Sequence, residues 1–149
     1  MVSDFTAKRI VLIPVDGSKN SSHAIDCATK SLLSPEGDLL VLLHARAMST
    51  FTATLAMKND EFSKAEYQRS TVLLESLAEI LKSNGYHVKA ISTVGDARGV
   101  IDDQLELLQP DLVVVASHGK GALEKVFAGS VSEHVVRHSN VPVIVIPFN

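Results

Sequence analysis

An apolar run from Leu112 to Ala116 opens into Ser117-His118-Gly119-Lys120-Gly121, and Gly129-Ser130 follows directly before a helical pattern. A strand that empties into a glycine-bearing loop and then a helix start suits an anion. Glycine lets backbone approach a ligand closely, and the unpaired N–H groups of a helix N-terminus carry partial positive charge. Phosphate is the chemistry this order of parts would serve. The same residues have a plainer explanation, because Ser130-Val131-Ser132-Glu133 has the spacing of a capping box. Neither standard phosphate fingerprint is present: there is no G-x-x-x-x-G-K-[ST], and Gly119-x-Gly121 leads to Glu124 where a dinucleotide loop requires glycine.

Other groups with chemical potential are weaker. His134 and His138 stand four apart on a helical pattern, a metal-ligand spacing, but no H-E-x-x-H motif or third ligand accompanies them, so no metal site is expected. His118 would either touch a ligand or cap its loop. Lys120 and Lys125 are available to offset phosphate charge, although loop lysines are ordinarily just solvated. No nucleophile, base and orienting group can be assembled from spacing, so no catalytic residue is assigned.

The elements that must position these residues follow from the apolar pattern. Arg9 to Val15 and Leu39 to Ala45 are short continuous apolar runs, the signature of strands buried on both faces. Asp16-Gly17-Ser18 ends the first, and a helix is predicted from Asn20 to Leu33 with Ser18 or Asn20 as its cap. Arg46 to Asn59 has little periodicity and reads as a mobile connection. A long helix from Asp60 to Lys82 presents Val72, Leu73, Leu77, Ile80 and Leu81 as its apolar face, with Asn84-Gly85 as its stop. Tyr86 to Val94 alternates as a strand, Val100 to Leu108 reads as a helix, Asp111 to Ser117 as the fourth strand, Val131 to His138 as a short helix and Val141 to Pro147 as a fifth strand. Strands alternating with helices give a parallel sheet covered on both faces by right-handed crossovers. Ligands bind such sheets beyond the C-terminal ends of the strands, where strand order reverses. Pro14, Val15 and Asp16 would then share a crevice with Ser117 and His118, provided the first and fourth strands are neighbours.

Length and composition bound the rest. The 149 residues fit one domain with one core, and no internal repeat is visible. Seventeen acidic and fourteen basic residues give a net charge of −3 without a basic cluster, which argues against nucleic acid as a partner. A single cysteine, Cys27, excludes an internal disulfide and reads as a small buried thiol in a reducing compartment. No apolar run approaches a membrane span and no signal-peptide pattern opens the chain, so no membrane association and a cytoplasmic location are expected.

Taken together, Ile10-Val11-Leu12-Ile13-Pro14-Val15-Asp16-Gly17-Ser18, His44, Val94-Gly95-Asp96, Asp111 to Val115, Ser117-His118-Gly119, Gly129-Ser130-Val131-Ser132-Glu133 and Val141-Pro142-Val143 resemble the universal stress protein family of the UspA type along essentially the whole chain. The resemblance implies an α/β, Rossmann-like (adenine nucleotide alpha-hydrolase-like) single domain: an open parallel five-stranded sheet of order 3-2-1-4-5 with helices on both faces. In the nucleotide-binding branch it implies ATP, held by G-x-x-G, nine residues, G-[ST]. Gly119, Gly129 and Ser130 match that motif; Ala116 stands where its first glycine would be. The resemblance further implies that Pro14, Val15 and Asp16 flank the adenine and ribose, that Ala45 lies along the base, that Gly119, Gly129 and Ser130 face the phosphates, and that Ala116, Ser117, His118, Gly121 and Val131 complete the nucleotide site. AMP or ADP instead of ATP, and Mg²⁺ as accompanying ion, stay open. A homodimer through Val143 to Ile146 is implied as well, consistent with an apolar strand that would otherwise leave a bare sheet edge.

Three functions compete on this reading. The first is an ATP-binding switch in stress response, with the Arg46 to Asn59 segment as the part most able to reorder. The second is a dimeric interaction or chaperone-like stress protein that binds no nucleotide, which Ala116 keeps in play. The third is a slow ATP hydrolase, disfavoured by the missing Walker-type lysine.

Overall fold

The computed structural model describes residues 6–46, 60–117 and 129–148. In chain order these form β1 (Arg9–Pro14), α1 (Lys19–Ser31), β2 (Asp38–Arg46), α2 (Asp60–Ser83), β3 (His87–Val94), α3 (Ala97–Leu108), β4 (Leu112–Ala116), α4 (Ser130–His138) and β5 (Val143–Ile146). The strands make one five-stranded sheet of order β3-β2-β1-β4-β5, and every pairing is parallel. The side chains of each strand alternate between two faces, so a doubly covered sheet has two cores. Val11, Ile13, Leu40, Leu42 and Val114 pack under Ile25 and Ala28 of α1 and Leu74, Ala78 and Leu81 of α2. Leu12, Val41, Leu43, Val113 and Val115 face Val100 and Ile101 of α3 and Val135 of α4.

Several expectations need correction. The second strand runs one residue further than predicted, so Arg46 is sheet and not connection; residues 47–59 of the predicted mobile segment lie outside the described residues. Helix α3 starts at Ala97, three residues early, because the Asp96 side chain caps it by accepting from the Arg98 N–H at 3.2 Å. On α2 the buried positions are Ser70, Leu74, Ala78 and Leu81, whereas Val72 and Ile80, placed on the apolar face by the sequence, are 62% and 59% exposed. The misphasing has a physical cause. Ser70 occupies a buried position because its hydroxyl is shared with His44 Nδ1 at 2.7 Å and Ser92 Oγ at 2.6 Å, and a serine in a buried stripe hides the stripe from a hydrophobicity count. Cys27 is half-buried, not buried, and its Sγ lies 3.4 Å from His23 Nε2.

Candidate functional site

Strand β1 is the centre from which the chain first adds β2 and β3 on one side and then crosses to add β4 and β5 on the other. At that reversal the helices leave a gap over the C-terminal strand ends, and a cleft lies there of about 670 Å³, its open mouth included. Pro14, Val15, Asp16, Ala45, Ala116, Gly129 and Val131 line it, so seven of the residues singled out from the sequence converge on one cavity. Ser117 and Ser130 adjoin the lining residues in sequence but do not line the cleft themselves. His118, Gly119 and Gly121, with Lys120 and Lys125, lie outside the described residues.

The polar groups of the cleft are held from β1 and α1. Gly17 turns the chain between them with φ of +80°, a conformation that glycine adopts without strain. Ser18 caps α1 by accepting from the Ser21 N–H at 3.3 Å. Asp16 Oδ1 accepts from the Ser18 N–H at 2.9 Å and from the Ser21 hydroxyl, which in turn accepts from the Asp16 N–H at 3.1 Å. Burial pushes the Asp16 carboxyl up, but the hydrogen bonds from Ser18 and Ser21 outweigh it and hold the group below the ordinary carboxylate range. The result is a fixed, ionised carboxylate at the cleft with all its described hydrogen bonds on Oδ1, which leaves Oδ2 as an acceptor for a ligand hydroxyl or amino group. Asn20 Nδ2 donates to the Ser117 carbonyl at 3.2 Å, and the Ser117 N–H donates to the Ile146 carbonyl at 2.9 Å, so the residue from which the glycine loop departs is tied to both α1 and β5.

The far wall differs from expectation in a way that bears on chemistry. The predicted capping box at Ser130 does not form. Gly129 is the N-cap of α4 and brings no side-chain hydrogen bond, Ser130 is the first helical residue and exposed, and Glu133 pairs with Arg137 at 3.0 Å. Ser132 Oγ donates backward to the Gly129 carbonyl at 3.1 Å. The helix thus begins with uncapped N–H groups and an exposed serine hydroxyl beside the cleft, which are donors suited to phosphate oxygens. The apolar walls come from residues the sequence reading passed over: Leu43, Val115, Ala97 and Ile101. Parity points to one of them, since Leu43 stands two residues before Ala45 and shares its face. Ala97 and Ile101 became visible only once α3 was known to start early.

The His134 side chain is engaged by its neighbours. Its Nε2 lies 2.8 Å from Asp102 Oδ2, its ring stacks on His138 at 4.2 Å, and no group of three metal-ligating side chains occurs among the described residues. No described helix is long and apolar enough to cross a membrane.

Known proteins share this architecture. Universal stress protein MJ0577 of Methanocaldococcus jannaschii is 26% identical over 151 residues, which span 91% of this chain and 93% of that protein. Its solved structure superposes with a TM-score of 0.78 over 97% of this chain and 99% of its own. A universal stress protein A-like protein of Arabidopsis thaliana is 36% identical over 77 residues, 52% of this chain, and the match spans 44% of that relative's length. A universal stress protein family structure from Arabidopsis thaliana with AMP bound, at 20% identity, has the same fold with a TM-score of 0.71 over 95% of this chain and 92% of that one. The pattern of the Universal stress protein family covers residues 8–147, and with the strand order and the cleft at its reversal point this chain belongs to that family.

Proposed function

We propose that the chain binds an adenine nucleotide, ATP in preference, in the cleft over β1, β2 and β4 and acts as a nucleotide-dependent switch in stress response. The observation that carries this reading is the pairing, across one cleft, of an ionised Asp16 with an uncapped α4 N-terminus. The carboxylate serves ribose hydroxyls, and the N–H groups with Ser130 serve phosphate. Pro14, Val15 and Ala45 would flank the base, while Gly129, Ser130 and Val131, with the loop that includes Ser117, His118, Gly119 and Gly121, would hold the phosphates. The AMP-bound relative supports an adenine nucleotide as the ligand class. Mg²⁺ would neutralise the triphosphate. The protein's own task here is binding and orientation.

A second reading, an interaction or chaperone-like protein that binds no nucleotide, is favoured by one feature: the Ala116 methyl lines the cleft where the nucleotide-binding motif has glycine. Calorimetry with ATP and Mg²⁺ separates the two. Under the first reading the native chain binds, Gly129→Val abolishes binding by placing a branched side chain in the cleft, and Ala116→Gly binds at least as tightly. Absence of binding by the native chain, with gain in Ala116→Gly, establishes the second. Both readings include a homodimer through Val143 to Ile146.

A further inference from the structure

Arg46 follows Ala45 on β2 and therefore points to the opposite face of the sheet from the cleft, toward α2. Its guanidinium carbon sits 5.1 Å above the centre of the Tyr67 ring, within the range of a cation–π contact. Arg46 Nε is buried with no hydrogen-bond partner among the described residues. Buried donors are almost always satisfied, and an orphaned one on a charged group calls for an acceptor that the described residues do not supply. The guanidinium fork accommodates one class of acceptor best, an oxyanion that accepts from two parallel N–H groups.

The surroundings match that class. Arg46, Ser63, Lys64, Tyr67 and Gln68 line a separate cavity of about 790 Å³, open mouth included, which shares no lining residue with the cleft. Each of these described residues carries a side-chain donor, and no carboxylate is among them. Glu66, on the same helix, pairs with Arg69. We infer that this cavity is a second binding site, for a small oxyanion (the phosphate or carboxylate group of a metabolite), anchored on Arg46 and walled by Tyr67.

Arginine Nε–H groups give resolved signals in ¹H–¹⁵N spectra, which allows the orphaned donor to be watched directly. The full chain is titrated with inorganic phosphate, and separately with acetate, at constant ionic strength; the Arg46 signal is assigned by its loss in Arg46→Lys. The expected result is a saturable shift of the Arg46 signal with a half-point below about 20 mM, at least fivefold ahead of any response at Arg69, Arg98 or Arg137. Backbone shifts around Tyr67 and Gln68 should follow the same curve and weaken about tenfold in Arg46→Lys, which keeps the charge but loses the fork. Saturation by phosphate alone assigns a phosphate group, and saturation by acetate as well assigns a carboxylate. A linear response, or one shared by all four arginines, overturns the site. The same titration in Gly129→Val, where the cleft is blocked, should be unchanged, so that failure here and failure of nucleotide binding are read separately.

Discussion

Single side chains decide how charge is managed. Asp38 is 2% exposed yet ionised: the Arg9 guanidinium, at 2.8 Å to both carboxylate oxygens, holds its carboxyl below the ordinary range against the opposing effect of burial, and the Ser34 N–H adds a third bond at 2.7 Å. Asp38→Asn should cost about 1–3 kcal/mol in urea unfolding, because one fork position and the charge are lost together. Asp16 separates structure from binding more cleanly. Asn at that position keeps an oxygen for the Ser18–Ser21 turn but removes the charge that strengthens its bonds, so Asp16→Asn should lower the thermal midpoint modestly while weakening the proposed nucleotide binding about tenfold by calorimetry. At His44, burial lowers the imidazole's proton affinity below the usual histidine value, and Arg46 adds to this, while Asp16 and Glu66 oppose it. A histidine kept neutral in the fold stabilises fully above its unfolded pKa of about 6.5 and loses that contribution as pH falls below it. Wild type should therefore show a drop in unfolding free energy between pH 7 and 5 that is smaller in His44→Gln.

Elements were legible from the sequence where one physical demand acted alone. Every strand was legible: β1, β2 and β4 because burial on both faces leaves an unbroken apolar run, as in Leu39 to Ala45, β3 because its residues alternate, and β5 as a short apolar run. Helix α2 was found but its face was misread, since Ser70 answers to His44 and Ser92 and not to hydrophobicity. The cleft was half legible: Asp16, Ala45 and Gly129 sit at strand or helix ends that the pattern marks, whereas Ala97 and Ile101 depend on where Asp96 caps α3. The corrected phase of α2 has a measurable consequence. Leu74→Ala, at a site 3% exposed, should cost about 2–4 kcal/mol. Ile80→Ala, at a site 59% exposed, should stay within about 0.5 kcal/mol, the reverse of what the sequence pattern predicts for these two positions.

For the whole molecule the two sheet edges differ. Edge strand β3 carries an exposed Lys89, a charge of the kind that discourages edge-to-edge pairing. Edge strand β5 reads Val-Ile-Val-Ile, without a charge, and all four residues remain partly exposed. The proposed dimer is expected at β5 and not at β3. Light scattering at micromolar concentration should then give about 32 kDa, twice the 16.0 kDa chain; a monomer throughout would remove the dimer from both functional readings.

The chain has two tyrosines and no tryptophan, and the two stand in opposite settings. Tyr86 is 6% exposed, with its hydroxyl donating to the Thr29 and Leu33 carbonyls at 3.1 and 3.2 Å where α1 ends, while Tyr67 is 53% exposed under Arg46. The ultraviolet emission of this protein is thus a built-in pair of optical reporters. Acrylamide should quench the Tyr67 component first, whereas the Tyr86 component should stay shielded until the end of α1 comes apart.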